Sequence, residues 1–311
     1  MFNLRQLSKN STVSETLLLA TRCTTGFMLI VLCFTGRVSA QVSNPYVFSI
    51  SKDGRTSYVL GTIHSGVGMS ELPAGVQAII GNMKQFAGER AWSLQQIETE
   101  LNPKRNYEVL LRGLREAEGG KELTAAQKRR LAEFGLPGEM IAAVSPGHQI
   151  CEVVRKFRTR FASEPKLMDF EISRYALSRN LPLAEVEDQN IREAAAKSVG
   201  RTECQVREIL SSSSPTPEVL REQETLVANA YRTGSLVPSN SRNEELIERN
   251  RRWIPNIEKL HAKAPTLFFV GTNHLIEPGN ILELLKEQGF TVTEMNFSDR
   301  GSKTTSAATA K

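Results

Sequence analysis

The feature that most restricts this chain is a phrase used twice. Ser57 to His64 reads SYVLGTIH and Thr266 to Leu275 reads TLFFVGTNHL. Each opens as a short run of β-branched and aromatic residues, the signature of a buried strand. Each then closes on Gly-Thr-X-His: Gly61, Thr62, Ile63, His64 and Gly271, Thr272, Asn273, His274. The chain has 4 histidines, so two of them end the same phrase at the same point after a strand. In α/β sheets the carboxyl ends of strands form the crevice where ligands and catalytic groups gather. Two imidazoles arriving there can share a metal ion or a substrate proton.

The remaining pattern agrees with an α/β fold: a mixed, partly parallel central sheet flanked by helices, with a large helical insertion over about residues 105–211. Strand-like runs at Tyr46–Lys52 and Arg55–Leu60 flank Asp53-Gly54, a hairpin dipeptide. Pro73 starts a helix to about Met83, and Gln85–Ala87 is a weak strand leading to Glu89. Helical spacing recurs in Tyr107–Glu116, Ala125–Phe134, Gln149–Phe161 and Met168–Ser178. Leu181–Glu187 interrupts these helices as a strand. In the helix over about 242–262, Leu246, Trp253, Ile257 and Leu260 form an apolar stripe, with Asn250 in its middle and Arg249 at its edge. Pro255 is expected to kink or loosen that helix. Asn280–Gln288, closed by Gly289, and the alternating run Phe290–Asn296 complete a strand–helix–strand unit, which favours parallel pairing.

The ends are different in kind. Arg5, Lys9 and Arg22 precede the apolar run Gly26–Phe34, and Val38-Ser39-Ala40 is a small-X-small cleavage pattern, so residues 1–40 read as a signal peptide. The run is shorter than the ~20 residues of a membrane span. Export to the periplasm or medium follows, with no stable span after cleavage; an uncleaved membrane anchor is the alternative. Residues 298–311, rich in Ser, Thr, Ala and Lys, read as a disordered tail, leaving 41–297 as one domain. The chain has 39 Lys plus Arg against 34 Asp plus Glu. That excess sits at the two ends, so the basic pI is not a nucleic-acid footprint. Cys151 and Cys204 are an even pair that an oxidising compartment could bridge.

Imidazole nitrogen and carboxylate oxygen are the ligands of catalytic zinc, and a similar set suits manganese or cobalt. His64, His274 and Glu89 are the candidate ligands, with Glu187 as the rival acid and a candidate general base. Arg249 could hold a substrate carboxylate or a developing oxyanion. Thr62, Thr272 and Asn250 are candidates to orient or touch a bound ligand. His148, in a Pro-Gly turn, and His261, at a helix end, read as surface residues. No HEXXH, Gly-X-Ser-X-Gly, phosphate loop or CXXC occurs in the sequence, which removes the familiar zinc-peptidase, serine-hydrolase, nucleotide and thiol-redox motifs.

YVLGTIHS, the acid at Glu89, LMDFEISRYALSRNLPLAEVED and IERNRRWIPNIEKL followed by PTLFFVGTNHLIEPGNILELLKEQGF together resemble the TraB/GumN family, related to Tiki and bacterial pheromone-shutdown proteins. The resemblance implies a fold akin to the erythromycin-esterase and ChaN-like group. It also implies the metal-dependent peptidase activity of Tiki relatives, in which two GX2H histidines and an intervening glutamate act. By that likeness His64, His274, Glu89 and Arg249 take these roles, and Asp169 and Glu187 match further family positions. GTNH is a variant of the family's second phrase, and Gly-Glu-Arg replaces a longer apolar strand before the acid. The expectation is an exported metal-dependent hydrolase acting on peptides. The alternative is a binding protein for a peptide or an iron or haem ligand.

Overall fold

A computed structural model describes residues 41–297 except 65, 103–104, 106, 109–110, 113–122, 134, 144–166, 188–189, 191–216 and 239–241. The signal segment, the tail, His148, Cys151, Cys204 and the expected helix Gln149–Phe161 lie outside the described residues.

Six strands form one sheet: β1 (Val47–Lys52), β2 (Arg55–Thr62), β3 (Phe86–Gly88), β4 (Leu183–Glu185), β5 (Leu267–Gly271) and β6 (Thr291–Glu294). Their order is β4-β3-β5-β2-β1-β6. The four strands β4, β3, β5 and β2 run parallel, and β1 is antiparallel to both β2 and β6. The mixed α/β expectation is met. Lys52 pairs with Arg55 across the hairpin, and Asp53 and Gly54 both take positive φ, 51° and 72°. That is the backbone a two-residue turn needs to match the twist of its strands.

Strands β1 to β5 feed two cores, because successive side chains point to opposite faces. Leu60, Phe86, Leu267 and Phe269 pack on one face with Val76, Ile80, Met168 and Ile172. Those partners come from α1 (Ala74–Asn82) and, further along the chain, from α5 (Met168–Ser178). Between these two lie α2 (Leu94–Leu101), α3 (Ala125–Glu133) and α4 (Gly138–Ala143), and α6 (Pro217–Thr233) adds Tyr231 to the same core. Val59, Ala87, Phe268 and Val270 pack on the other face with Trp253, Ile257, Leu275, Ile281 and Leu285. Those come from α7 (Glu244–Lys263), α8 (Asn273–Ile276) and α9 (Ile281–Glu287). All five residues of β5 are buried, as a parallel strand covered on both faces requires.

Asn273 to Ile276 wind into α8, so His274 sits on a helical turn. Helix α7 continues through Pro255. That proline is exposed, so the carbonyl it leaves without a donor faces water, where it can be satisfied. His261 is buried, not superficial. The Ser57 hydroxyl donates to its Nδ1 at 2.9 Å, and its Nε2–H faces the Lys52 carbonyl at 3.3 Å. A hydroxyl offered from a strand more than 200 positions away cannot be read from the helix alone. No described helix is long and apolar enough to cross a membrane.

Candidate functional site

Four neighbouring parallel strands end side by side, and each delivers one candidate. His64 follows β2, His274 follows β5, Glu89 follows β3 and Glu187 follows β4. Pairing continues past the strand ends: Glu187 N–H donates to the Glu89 carbonyl at 3.2 Å, and Thr272 N–H donates to the Thr62 carbonyl at 2.9 Å. The two threonines therefore clamp the phrases together, with Thr272 Oγ1 also donating to Thr62 O at 2.8 Å. Both threonines are buried.

The side chains converge on Gly271. A Cβ there would stand 3.1 Å from Glu89 Oε1, 3.5 Å from His64 Nε2 and 3.7 Å from His274 Cδ2. The two rings, separated by about 210 positions in the chain, thus lie within 4 Å of one point. Glu89 Oε1 is also 3.7 Å from His274 Nε2 and accepts from Gly271 N–H at 2.8 Å.

Each ring is fixed by its Nδ1. Asn250, 0% exposed, donates through Nδ2 to the Gly279 carbonyl at 3.0 Å. Its Oδ1 therefore faces His274 Nδ1 and accepts that proton. His64 Nδ1 donates to Asp169 Oδ2 at 2.7 Å. In His274 this leaves the Nε2 lone pair on the side of Glu89, 3.7 Å from Oε1, the tautomer in which histidines bind metals; His64 Nε2 lies 3.5 Å from the position a Cβ on Gly271 would take. Asn250 thus works on the site through His274, and Asp169 works through His64.

Arg249 bridges the two acids, with Nε donating to Glu187 Oε1 at 2.8 Å and Nη2 lying 3.5 Å from Glu89 Oε2. Glu187 is 2% exposed and lies behind this guanidinium. The Trp253 ring stacks on His274 with centroids 4.2 Å apart, and Arg249 Cζ lies 5.2 Å from the same ring.

The TraB/PrgY/gumN family model matches residues 46–294, which is most of the chain. The chain belongs to the TraB/PrgY/gumN family. No curated protein and no solved structure matches it.

Electrostatics separate the partners in this family member. Burial lowers the His274 pKa to about 4 against the opposing pull of Glu89, with Arg249 and His64 lowering it further. The ring is neutral at pH 7, as a metal ligand must be. Burial works to raise the Glu89 pKa, but the nearby imidazoles, Gly271 N–H and Arg249 together outweigh it and hold the carboxyl below its ordinary value.

Among the described residues no group of three or more His, Cys, Asp and Glu side chains stands close enough together to hold an ion as placed. The donor set is nevertheless right in kind. It brings two imidazole rings and one carboxylate within 4 Å of the point a Cβ on Gly271 would occupy.

Sequence reasoning found His64, His274, Glu89, Glu187 and Arg249 in one crevice. It flagged Asn250 as a buried amide in need of partners but not which partner. It gave Asp169 no role and counted Trp253 as core alone, because neither contact leaves a periodic trace.

Proposed function

We propose that this chain is a metal-dependent hydrolase acting on peptides, with His64, His274 and Glu89 as the ligands of a divalent zinc, manganese or cobalt ion. The supporting observation is that the His64 and His274 rings and the Glu89 carboxylate all lie within 4 Å of one point beside Gly271. Such an ion would supply Lewis acidity, which brings the pKa of water toward neutrality. The protein's own residues do the rest. The two imidazoles, Gly271 N–H and Arg249 together hold Glu89 below its ordinary pKa against the cost of burial. Asn250 and Asp169 hold the two rings in place through their Nδ1 atoms. Glu187 orients Arg249, which has five N–H donors and so keeps some for a substrate carboxylate or the oxyanion formed at a scissile carbonyl. Trp253 excludes water beneath His274.

The open spacing of the three donors favours a second reading, in which the same crevice captures a peptide, or an iron or haem ligand, without turnover. Metal analysis with peptide turnover by wild type and His274→Ala separates them. Activity lost on chelation, restored by one metal and missing in His274→Ala supports the hydrolase. Tight ligand retention with no turnover under any divalent ion supports the binder.

A further inference from the structure

Apolar surface lies beside the site on its β3 and β4 side, and the chemistry above does not use it. Trp92 is three residues beyond Glu89, and Phe170 adjoins Asp169 in α5. The two rings touch, with centroids 5.1 Å apart and planes inclined by 51°. Both are half-buried. Leu94, the first residue of α2, is 39% exposed. Arg90 is exposed, and its Cζ lies 5.8 Å from the Trp92 ring.

Helix α2 is also anchored by Ile97, which is fully buried. The backbone that carries Trp92 is pinned on both sides. Ala91 N–H donates to Glu185 Oε2 at 3.3 Å, and Ser93 caps α2 by accepting from Gln96 N–H at 3.2 Å. Large apolar side chains held rigidly beside a polar reaction centre are the usual means of orienting a ligand.

We propose that Trp92, Phe170 and Leu94 form a subsite for one large apolar side chain, aromatic or branched aliphatic, of a peptide bound across the site, with Arg90 closing its outer edge. This rests on the reading of the crevice as a peptide site. The subsite is a specificity element and takes no part in the chemistry.

The test uses the full chain loaded with divalent metal and a set of end-blocked peptides that differ at one position, occupied by Phe, Leu, Ala or Glu. The protein has 2 tryptophans, and Trp253 is fully buried, so iodide-quenchable emission reports Trp92. Phe and Leu peptides should shield Trp92 from iodide and be favoured over the Ala peptide by roughly tenfold or more in Kd or kcat/KM. Trp92→Ala and the solvent-facing Leu94→Ser should bring that ratio close to one, while Trp92→Phe keeps most of it. Peptides bound or cleaved with the same preference in Trp92→Ala and Leu94→Ser, or without shielding Trp92, overturn the subsite alone. Failure of every peptide to bind or be cleaved overturns the peptide reading, and the subsite with it.

Discussion

One four-residue phrase occurs twice, and the fold puts its two copies to different uses. His64 is exposed, on the segment after β2, and its Nδ1 proton goes to the Asp169 carboxylate. His274 is 4% exposed on a helical turn, stacks on Trp253 and gives its Nδ1 proton to the neutral amide of Asn250. The glycines differ as well. A Cβ on Gly61 would meet Tyr46 Cβ at 2.9 Å, Leu275 Cδ1 at 3.0 Å and Thr272 Oγ1 at 3.1 Å, inside the packed interior. A Cβ on Gly271 would meet the ends of Glu89, His64 and His274. Identical local sequence fixes the entry of each histidine into the crevice. What surrounds it decides whether the copy is a dry, rigid half or a wet, accessible one.

The comparison breaks hardest at the acid both rings face. Glu89→Gln keeps the shape and removes the charge, and turnover should fall by about a thousandfold with little loss of thermal stability. His64→Ala and His274→Ala should each abolish activity. Only the second should also destabilise the fold, by about 1–3 kcal/mol, because it leaves the Asn250 carbonyl buried and unpaired; denaturant titration of both variants checks this.

The glycines give the next contrast. Gly271→Ala fills the hollow between the three side chains and should lower kcat/KM by about a hundredfold in a protein that melts close to wild type. Gly61→Ala should do the reverse, costing about 1–3 kcal/mol by overpacking while the remaining folded protein keeps its activity. Equal effects of the two in paired activity and melting measurements would remove the distinction between site glycine and fold glycine.

The partners behind the rings come third. Asp169→Asn and Asn250→Ala should each weaken metal affinity by about 10–100-fold. Asn250→Ala should also lower stability, and Asp169→Asn should not, because water can replace the lost hydrogen bond at an exposed imidazole.

The smallest expected effect is on pH. The folded pKa of His274 lies below the ordinary imidazole value of about 6.5, at about 4, so the unfolded chain binds the extra proton first. Stability of the metal-free protein should fall as pH drops from 6.5 toward 4. Glu89, also depressed, adds loss in the same direction at lower pH. His274→Gln should flatten the upper part of that decline in chemical denaturation at stepped pH.

Much of this contrast was hidden in the sequence for a physical reason. Strands β1, β2, β5 and β6 were legible because alternation, the Asp53-Gly54 turn and a run buried on both faces are local signals. So were α7 and the crevice-bound candidates at the strand ends. Strand β3, three residues long, and the strand order were barely legible, because pairing partners such as β3 and β5 lie about 180 positions apart. What backs each histidine depends on those pairings. Asn250 announced a missing partner by lying on an apolar stripe, but Asp169 sits in an ordinary first helical turn and announces nothing. His261 was misread because its partner Ser57 belongs to a distant strand.

Titration of zinc, manganese and cobalt into the chelated full-length protein tests the central claim most directly. One ion bound per chain in the wild type, with that binding lost in His64→Ala, His274→Ala and Glu89→Gln alike, is the expected result. A wild type that binds none of the three ions, or three variants that bind as it does, would contradict the shared site.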